Sequence, residues 1–544
     1  MNQPYFQFSS RRSPVLGRGG MVAATQPLAV SAGLKVLQAG GNAADAAVAT
    51  AAAMNVTEPT STGLGGDAFA LYYEASTGRV YALNGSGRAP QALTLERVRR
   101  EGFGDGLPAF HPYTITVPGA CAAWCDLVER FGRLPMAEVL APARRLAAEG
   151  FPVAPVTAYY WARGAERQLA EAVNGVELTV DGRAPRAGEI FRNPGLARSF
   201  DLIAQGGKKE FYEGPPGEAI SAIVQEAGGC LAQADLAAHR STWEEPIRVA
   251  YRDLHIWECP PNGQGLAALL ALNLLNGLDL SGLPPLSPER LHLEIEAMRL
   301  AFADAFYYVA DPAFRSAPLQ DLLSAQYGAE RRKAIDPKKA NRRLEHGVPP
   351  STSDTVYFSV VDGEGNACSF INSNYMGFGT GIVPRGWGFS LQNRGLGFQL
   401  EPGHPNALEP GKRPYHTIIP ALATRAADES LFACFGVMGG FMQPQGHMQV
   451  VIGLADDRLD PQAALDRPRF MITPELETGE VALEEGIPLG SMSALADLGH
   501  AIRPVTGLGR TMFGRGQIIC RDAESGVLWA GSDPRGDGCA MCLD

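Results

Sequence analysis

The stretch SDTVYFSVVDGEGNACSFINS (residues 353–373) decides how the chain is read. Two alternating apolar runs flank the turn-forming centre Asp362-Gly363-Glu364-Gly365-Asn366, which is the pattern of a β-hairpin. The segment before it, DPKKANRRLEHGVPPSTSD (336–354), is polar, holds three prolines and has no apolar period, so it reads as a loop. Thr355 stands at the junction. If the hairpin is centred on Glu364, Val361 opposes Ala367, Ser359 opposes Ser369, and Thr355 opposes Ser373. Opposed residues have Cβ atoms roughly 4.5–5.5 Å apart, which puts a hydroxyl beside Thr355. Alternation places Thr355, Tyr357, Ser359 and Val361 on one face.

A threonine at the start of a strand is ordinary, because threonine favours strands. It acquires chemistry if the Asp354–Thr355 bond is cut. A free α-amine has a pKa of about 7.7–8.0, and on the same residue as a hydroxyl it can serve as the base that activates that hydroxyl. An exposed loop running into a buried strand is where such a cut would fall.

Outward from the hairpin, Pro27 begins a helix that ends at Gly40-Gly41, and Asn42 caps a second, Ala-rich helix. DAFALYYEA and RVYALNG are strands joined by Ser76-Thr77-Gly78. Residues 120–240 are largely helical in pattern, EPIRVAYRDLHIWECPP (245–261) is a strand pair, 264–310 is helical, and the last third is rich in strands and turns. Sheets covered by helices follow from this order, and the lack of regular βαβ alternation argues against a doubly wound nucleotide fold. GLGGDAF and GFGTG lack the strand–GxGxxG–helix setting of a phosphate loop.

The chain has 544 residues and a net charge of −11, with scattered arginines, which excludes a nucleic-acid footprint. Nine widely spaced cysteines, with one lone CxxC at Cys539 and Cys542, predict mostly free thiols in a reducing compartment. The histidine spacing suggests no metal site. No secretory signal or membrane span is evident, so the expectation is a soluble cytoplasmic protein.

Collinear motifs along nearly the whole chain resemble the γ-glutamyltransferase family of N-terminal-nucleophile hydrolases. They include AATQPLAVSAGLKVLQAGGNAADAAVA, EPTSTGLGGDAFALYY, PGACAAWCDLVERFG, PPNGQG, DTVYFSVVDGEGNA, GFGTGIV, GKRPYHTIIPAL, VMGG and DPRGDG. The resemblance implies a four-layer αββα sandwich. It also implies one self-cleavage, giving a large piece (1–354) and a small piece (355–544) held in one folded unit, with these heterodimers able to pair. Thr355 then matches the nucleophile and Ser373 the residue that hydrogen-bonds it. Gly439 and Gly440 match the backbone donors of the oxyanion hole, and no cofactor is needed.

The substrate positions depart from the family's pattern. Its arginine is matched by Ser86, with Arg88 two residues on; its asparagine by Tyr375; its glutamine and aspartate by Arg394 and Gly397; its paired serines by His416 and Thr417. The carboxylate that would hold a substrate ammonium is missing and a new cation is present. The expectation is a self-processing amidohydrolase acting on γ-glutamyl or related small-molecule amides. The alternatives are a hydrolase of small carboxylate-bearing amides, resembling oxamate amidohydrolases, and an unprocessed binding protein on the same fold.

Overall fold

The computed structural model describes residues 12–104, 106–341, 355–473 and 479–544. Asp354, and with it the expected cleavage bond, lies outside the described residues.

Helix Pro27–Gln38 starts on its proline, and helix Ala43–Thr57 starts on a capping box in which Asn42 and Asp45 satisfy each other's first backbone donors. Every residue of the second helix is buried, which explains its lack of a polar face. It packs between the first helix and the strands Val356–Asp362 and Ala367–Ser373.

Two seven-stranded antiparallel sheets lie face to face. One runs Cys539–Leu543, Gly20–Ala24, Val356–Asp362, Ala367–Ser373, Asp67–Glu74, Arg79–Gly85, Thr242–Glu244. The other runs Val15–Gly17, Leu528–Ser532, Arg515–Arg521, Leu431–Met438, Ala421–Arg425, Leu254–Glu258, Ile247–Tyr251. Met21, Phe69, Tyr357, Leu422, Cys434 and Ile519 share the layer between them. Val356, Phe358 and Phe370 face the helices on one outer side. Ile256, Phe435 and Ile518 face those on the other, which include Gly265–Asn276 and Pro288–Tyr308. This is the αββα sandwich.

The central hairpin has the register expected from sequence, with Val356 opposite Asn372 and Val361 opposite Ala367. Both neighbouring strands, Gly20–Ala24 and Asp67–Glu74, come from before residue 354. The two pieces on either side of that position therefore share one sheet and one core.

Candidate active site

Thr355 is fully buried at the mouth of the hairpin, and its Oγ1 lies 3.1 Å from Ser373 Oγ. Ser373 Oγ also accepts the Tyr375 N–H at 2.9 Å and an Arg394 Nη2 hydrogen at 3.3 Å. One hydroxyl thus ties together the candidate nucleophile, the loop after the strand and a guanidinium.

Gly439 and Gly440, the expected oxyanion donors, follow a strand of the facing sheet. Ser359 Oγ donates to the Cys434 carbonyl at 3.1 Å, and the Tyr357 ring fills the space that a Cβ on Gly436 would occupy. The same strand, Leu431–Met438, ends immediately before Gly439. Gly439 and Gly440 have φ of +127° and +60°, conformations that favour glycine. Gln264 pins this loop. Its Nε2 donates to the carbonyls of Gly440 at 2.8 Å and Thr417 at 2.6 Å, and its Oε1 accepts the Tyr415 hydroxyl at 3.0 Å. A cavity of about 340 Å³ opens next to Met376, Met438 and Gly439 and is flanked by Arg163, Arg167 and Gln168.

Arg394 is completely buried in a short 3-10 turn, Arg394–Gly397. It donates to Thr417 Oγ1 at 2.7 Å, and its guanidinium lies 4.1 Å from the centre of the Tyr375 ring. Among the described residues no carboxylate comes within ion-pair distance of it, and its Nε has no partner. Burial lowers its pKa to about 10, with Tyr375 and Asp67 opposing, so it stays charged at neutral pH. Tyr375 holds a positive φ of 78°, a costly conformation for a bulky residue that clusters at functional sites. A Cβ added at Gly397 would lie 2.6 Å from the Tyr415 carbonyl, so the position matched to the family's aspartate has no room for a side chain.

Arg88 does not join this group. The strand before it ends at Gly85, which breaks the alternation that would have kept Arg88 on the side of Ser86. Its guanidinium donates to the Arg240 carbonyl at 3.4 Å and lines a separate cavity with Gln91 and His239. Ser86 instead bonds Asn84 and Asn262.

His416 is buried with its Nε2 at 3.0 Å from Asp67 Oδ2. Asp67 is a carboxylate not anticipated from the sequence, where it follows Gly65-Gly66 in GLGGDAF. Gln264 was missed likewise inside PPNGQG. In both cases a polar residue next to a glycine was the available signal.

Metal-ligating atoms converge at one place among the described residues: His292, Glu296 and His500, all within 4.8 Å of one another. His292 and Glu296 stand at i, i+4 on one helix, a spacing that a pairing of histidines alone does not reveal. His292 is already satisfied by the Asp336 carbonyl at 2.7 Å and His500 at 2.8 Å. Glu296 accepts the Asn341 N–H at 2.9 Å and pairs with Arg299 at 3.5 Å. A fixed guanidinium beside the carboxylate opposes a metal cation, so these residues read as a packed polar cluster.

Comparison with known proteins agrees with this geometry. The γ-glutamyltranspeptidase family model matches residues 29–543. The chain is 35% identical to a glutathione hydrolase-like YwrD proenzyme of Bacillus subtilis, over 97% of this chain and 99% of that one. It is 32% identical to an oxamate amidohydrolase proenzyme of Klebsiella pneumoniae, over 96% and 98%. Among solved structures, a cephalosporin acylase from Bacillus halodurans superposes with a TM-score of 0.92 at 46% identity, covering 99% of this chain and 98% of that one. With its fold, its hairpin and its motifs in agreement along the whole length, the chain belongs to the γ-glutamyltranspeptidase family of N-terminal-nucleophile hydrolases.

Proposed function

We propose that this protein cuts itself before Thr355 and then hydrolyses amides whose acyl half carries a carboxylate but no ammonium. The observation that carries the substrate preference is Arg394, a buried guanidinium with no carboxylate at ion-pair distance among the described residues. It sits two hydrogen bonds from Thr355 Oγ1 through Ser373.

The new Thr355 α-amine takes the proton from Thr355 Oγ1 as that oxygen attacks the amide carbonyl. Ser373 holds the hydroxyl in line. The N–H groups of Gly439 and Gly440 stabilise the oxyanion, which such fixed donors do best in a site closed to water. The amine half leaves with the proton from the α-amine, and water then releases the acyl group from Thr355 by the same steps in reverse order. A substrate carboxylate pairs with Arg394, whose planar fork suits it. The short path from Thr355 to Arg394 favours an acyl group with its carboxylate near the scissile carbonyl, as in an oxalyl amide. A γ-glutamyl group would bring an ammonium beside a guanidinium with no carboxylate at Gly397 to receive it, and in a dry pocket that is unfavourable.

The similarity to an oxamate amidohydrolase and a cephalosporin acylase supports this reading. Release of amine from a panel of oxalyl, glutaryl and γ-glutamyl amides tests it. The expected order places a dicarboxylic amide above its γ-glutamyl counterpart in kcat/KM; the reverse order would reinstate a glutathione hydrolase.

A further inference from the structure

Asp67 opens the strand Asp67–Glu74 at its buried end. Its Oδ1 accepts the N–H groups of Gly87 at 2.9 Å and Gly119 at 3.1 Å, and the Gln392 amide at 3.0 Å. Its Oδ2 faces His416 Nε2 at 3.0 Å. An ionised carboxylate only accepts hydrogen bonds, so His416 points its N–H at Asp67 and turns Nδ1 toward the Ile418 N–H at 3.4 Å. The charged and titratable groups around the pair come from several elements: Arg394 and Arg413 from the loops on either side, Tyr212 from the helix Pro194–Tyr212, and Tyr375 over Arg394. Among the described residues, the polar and ring partners of Arg394 are hydroxyls and the Tyr375 ring. Asp67 is the carboxylate whose field acts on Arg394.

We propose that Asp67 with His416 is a specificity-determining pair that takes up one proton when an anionic acyl group binds at Arg394. This rests on the reading of Arg394 as the carboxylate site. A carboxylate brought to Arg394 adds a like charge near Asp67, which favours holding a proton on one of the two. The substrate carboxylate has Arg394 to pair with, so the proton, drawn from solvent, goes to the Asp67–His416 pair. The two residues titrate as a unit. Burial already raises the Asp67 pKa to about 6 against the pull of Arg394 and its hydrogen bonds, so the cost of protonation at neutral pH is small. Burial, Arg394 and Arg413 keep His416 neutral before binding.

Two p-nitroanilides test the proposal: an oxalyl or glutaryl mono-anilide and its neutral isostere with the carboxylate replaced by a carboxamide. Both share the leaving group and the Thr355 base, so their kcat/KM ratio isolates the anion-binding step. The ratio should fall about tenfold per pH unit above about pH 6, and Asp67→Asn should flatten it. Independently, titration of wild-type enzyme with formate, in buffers of different ionisation heat at pH 7, should show uptake approaching one proton per site. At that pH the Thr355 amine is already mostly protonated. An anionic preference that stays constant with pH, or formate binding without proton uptake, overturns the proposal and leaves the Arg394 reading standing. No anionic preference even at pH 5.5 overturns both. The wild-type ratio decides the matter even if Asp67→Asn does not fold.

Discussion

Replacing Ser373 by alanine tests the geometry at its narrowest point. Among the described residues the hydroxyl meets Thr355 Oγ1 at 3.1 Å, the Tyr375 N–H at 2.9 Å and Arg394 Nη2 at 3.3 Å. Loss of a neutral hydrogen bond to the nucleophile is worth about 1 kcal/mol, and loss of the acceptor for a charged donor about 1.5–3 kcal/mol. The first alone would slow turnover about fivefold, at roughly 1.4 kcal/mol per tenfold. With Arg394 released from its position as well, the expected fall in kcat/KM is about 10- to 100-fold. The stranded Tyr375 N–H also costs about 1–3 kcal/mol of stability, which a melting curve separates from the catalytic loss. Ser373→Thr keeps the hydroxyl and should recover both self-cleavage and turnover. The assay is the rate of appearance of the two fragments on a denaturing gel, followed by steady-state release of p-nitroaniline. Self-cleavage and turnover of Ser373→Ala within twofold of wild type would show that the hydroxyl does not orient Thr355.

Other expectations follow from neighbouring groups. Arg394→Gln should narrow the preference for anionic over neutral acyl groups by about 10-fold or more, the worth of a charge-assisted bond, read from paired kcat/KM values. Gln264→Ala frees the Gly440 carbonyl and should lower kcat about tenfold while leaving KM nearly unchanged, because the oxyanion forms only after binding; a change in KM alone would contradict this. For a neutral acyl group, kcat/KM should rise with pH through about 7.7–8.0 as the Thr355 amine loses its proton. For an anionic one the rise is opposed above about pH 6 by ionisation of Asp67, whose folded-state pKa is raised, so the profile flattens or turns over. Gly397→Asp should not restore γ-glutamyl binding but should lower the melting temperature, because its Cβ meets the Tyr415 carbonyl at 2.6 Å.

Much of the frame was legible because it depends on local rules. The hairpin register follows from the turn at 362–366 and strict alternation, which alone set Ser373 opposite Thr355. The Pro27 start and the Asn42 cap mark two helices for the same reason. The order of strands was not legible, because antiparallel neighbours such as Gly20–Ala24 and Val356–Asp362 are brought together by long-range packing that leaves no local signal. The site was readable where one strand carries it and misread where the chain leaves the sheet. Arg88 departs after Gly85 and turns to the Arg240 carbonyl. Asp67 and Gln264 act through partners more than 100 residues away, His416, Gly440 and Thr417, and no spacing rule connects them.

The proposed chemistry requires that Thr355 become an N-terminus and carry the acyl group. Intact-mass analysis and N-terminal sequencing of the purified protein, before and after brief mixing with a slowly released dicarboxylic amide, test it most directly. Two fragments are expected, the smaller beginning at Thr355 and gaining the mass of the acyl group, with Thr355→Ala remaining one chain. A wild-type chain that stays whole, a fragment that begins elsewhere, or cleavage at the same bond in Thr355→Ala would contradict it.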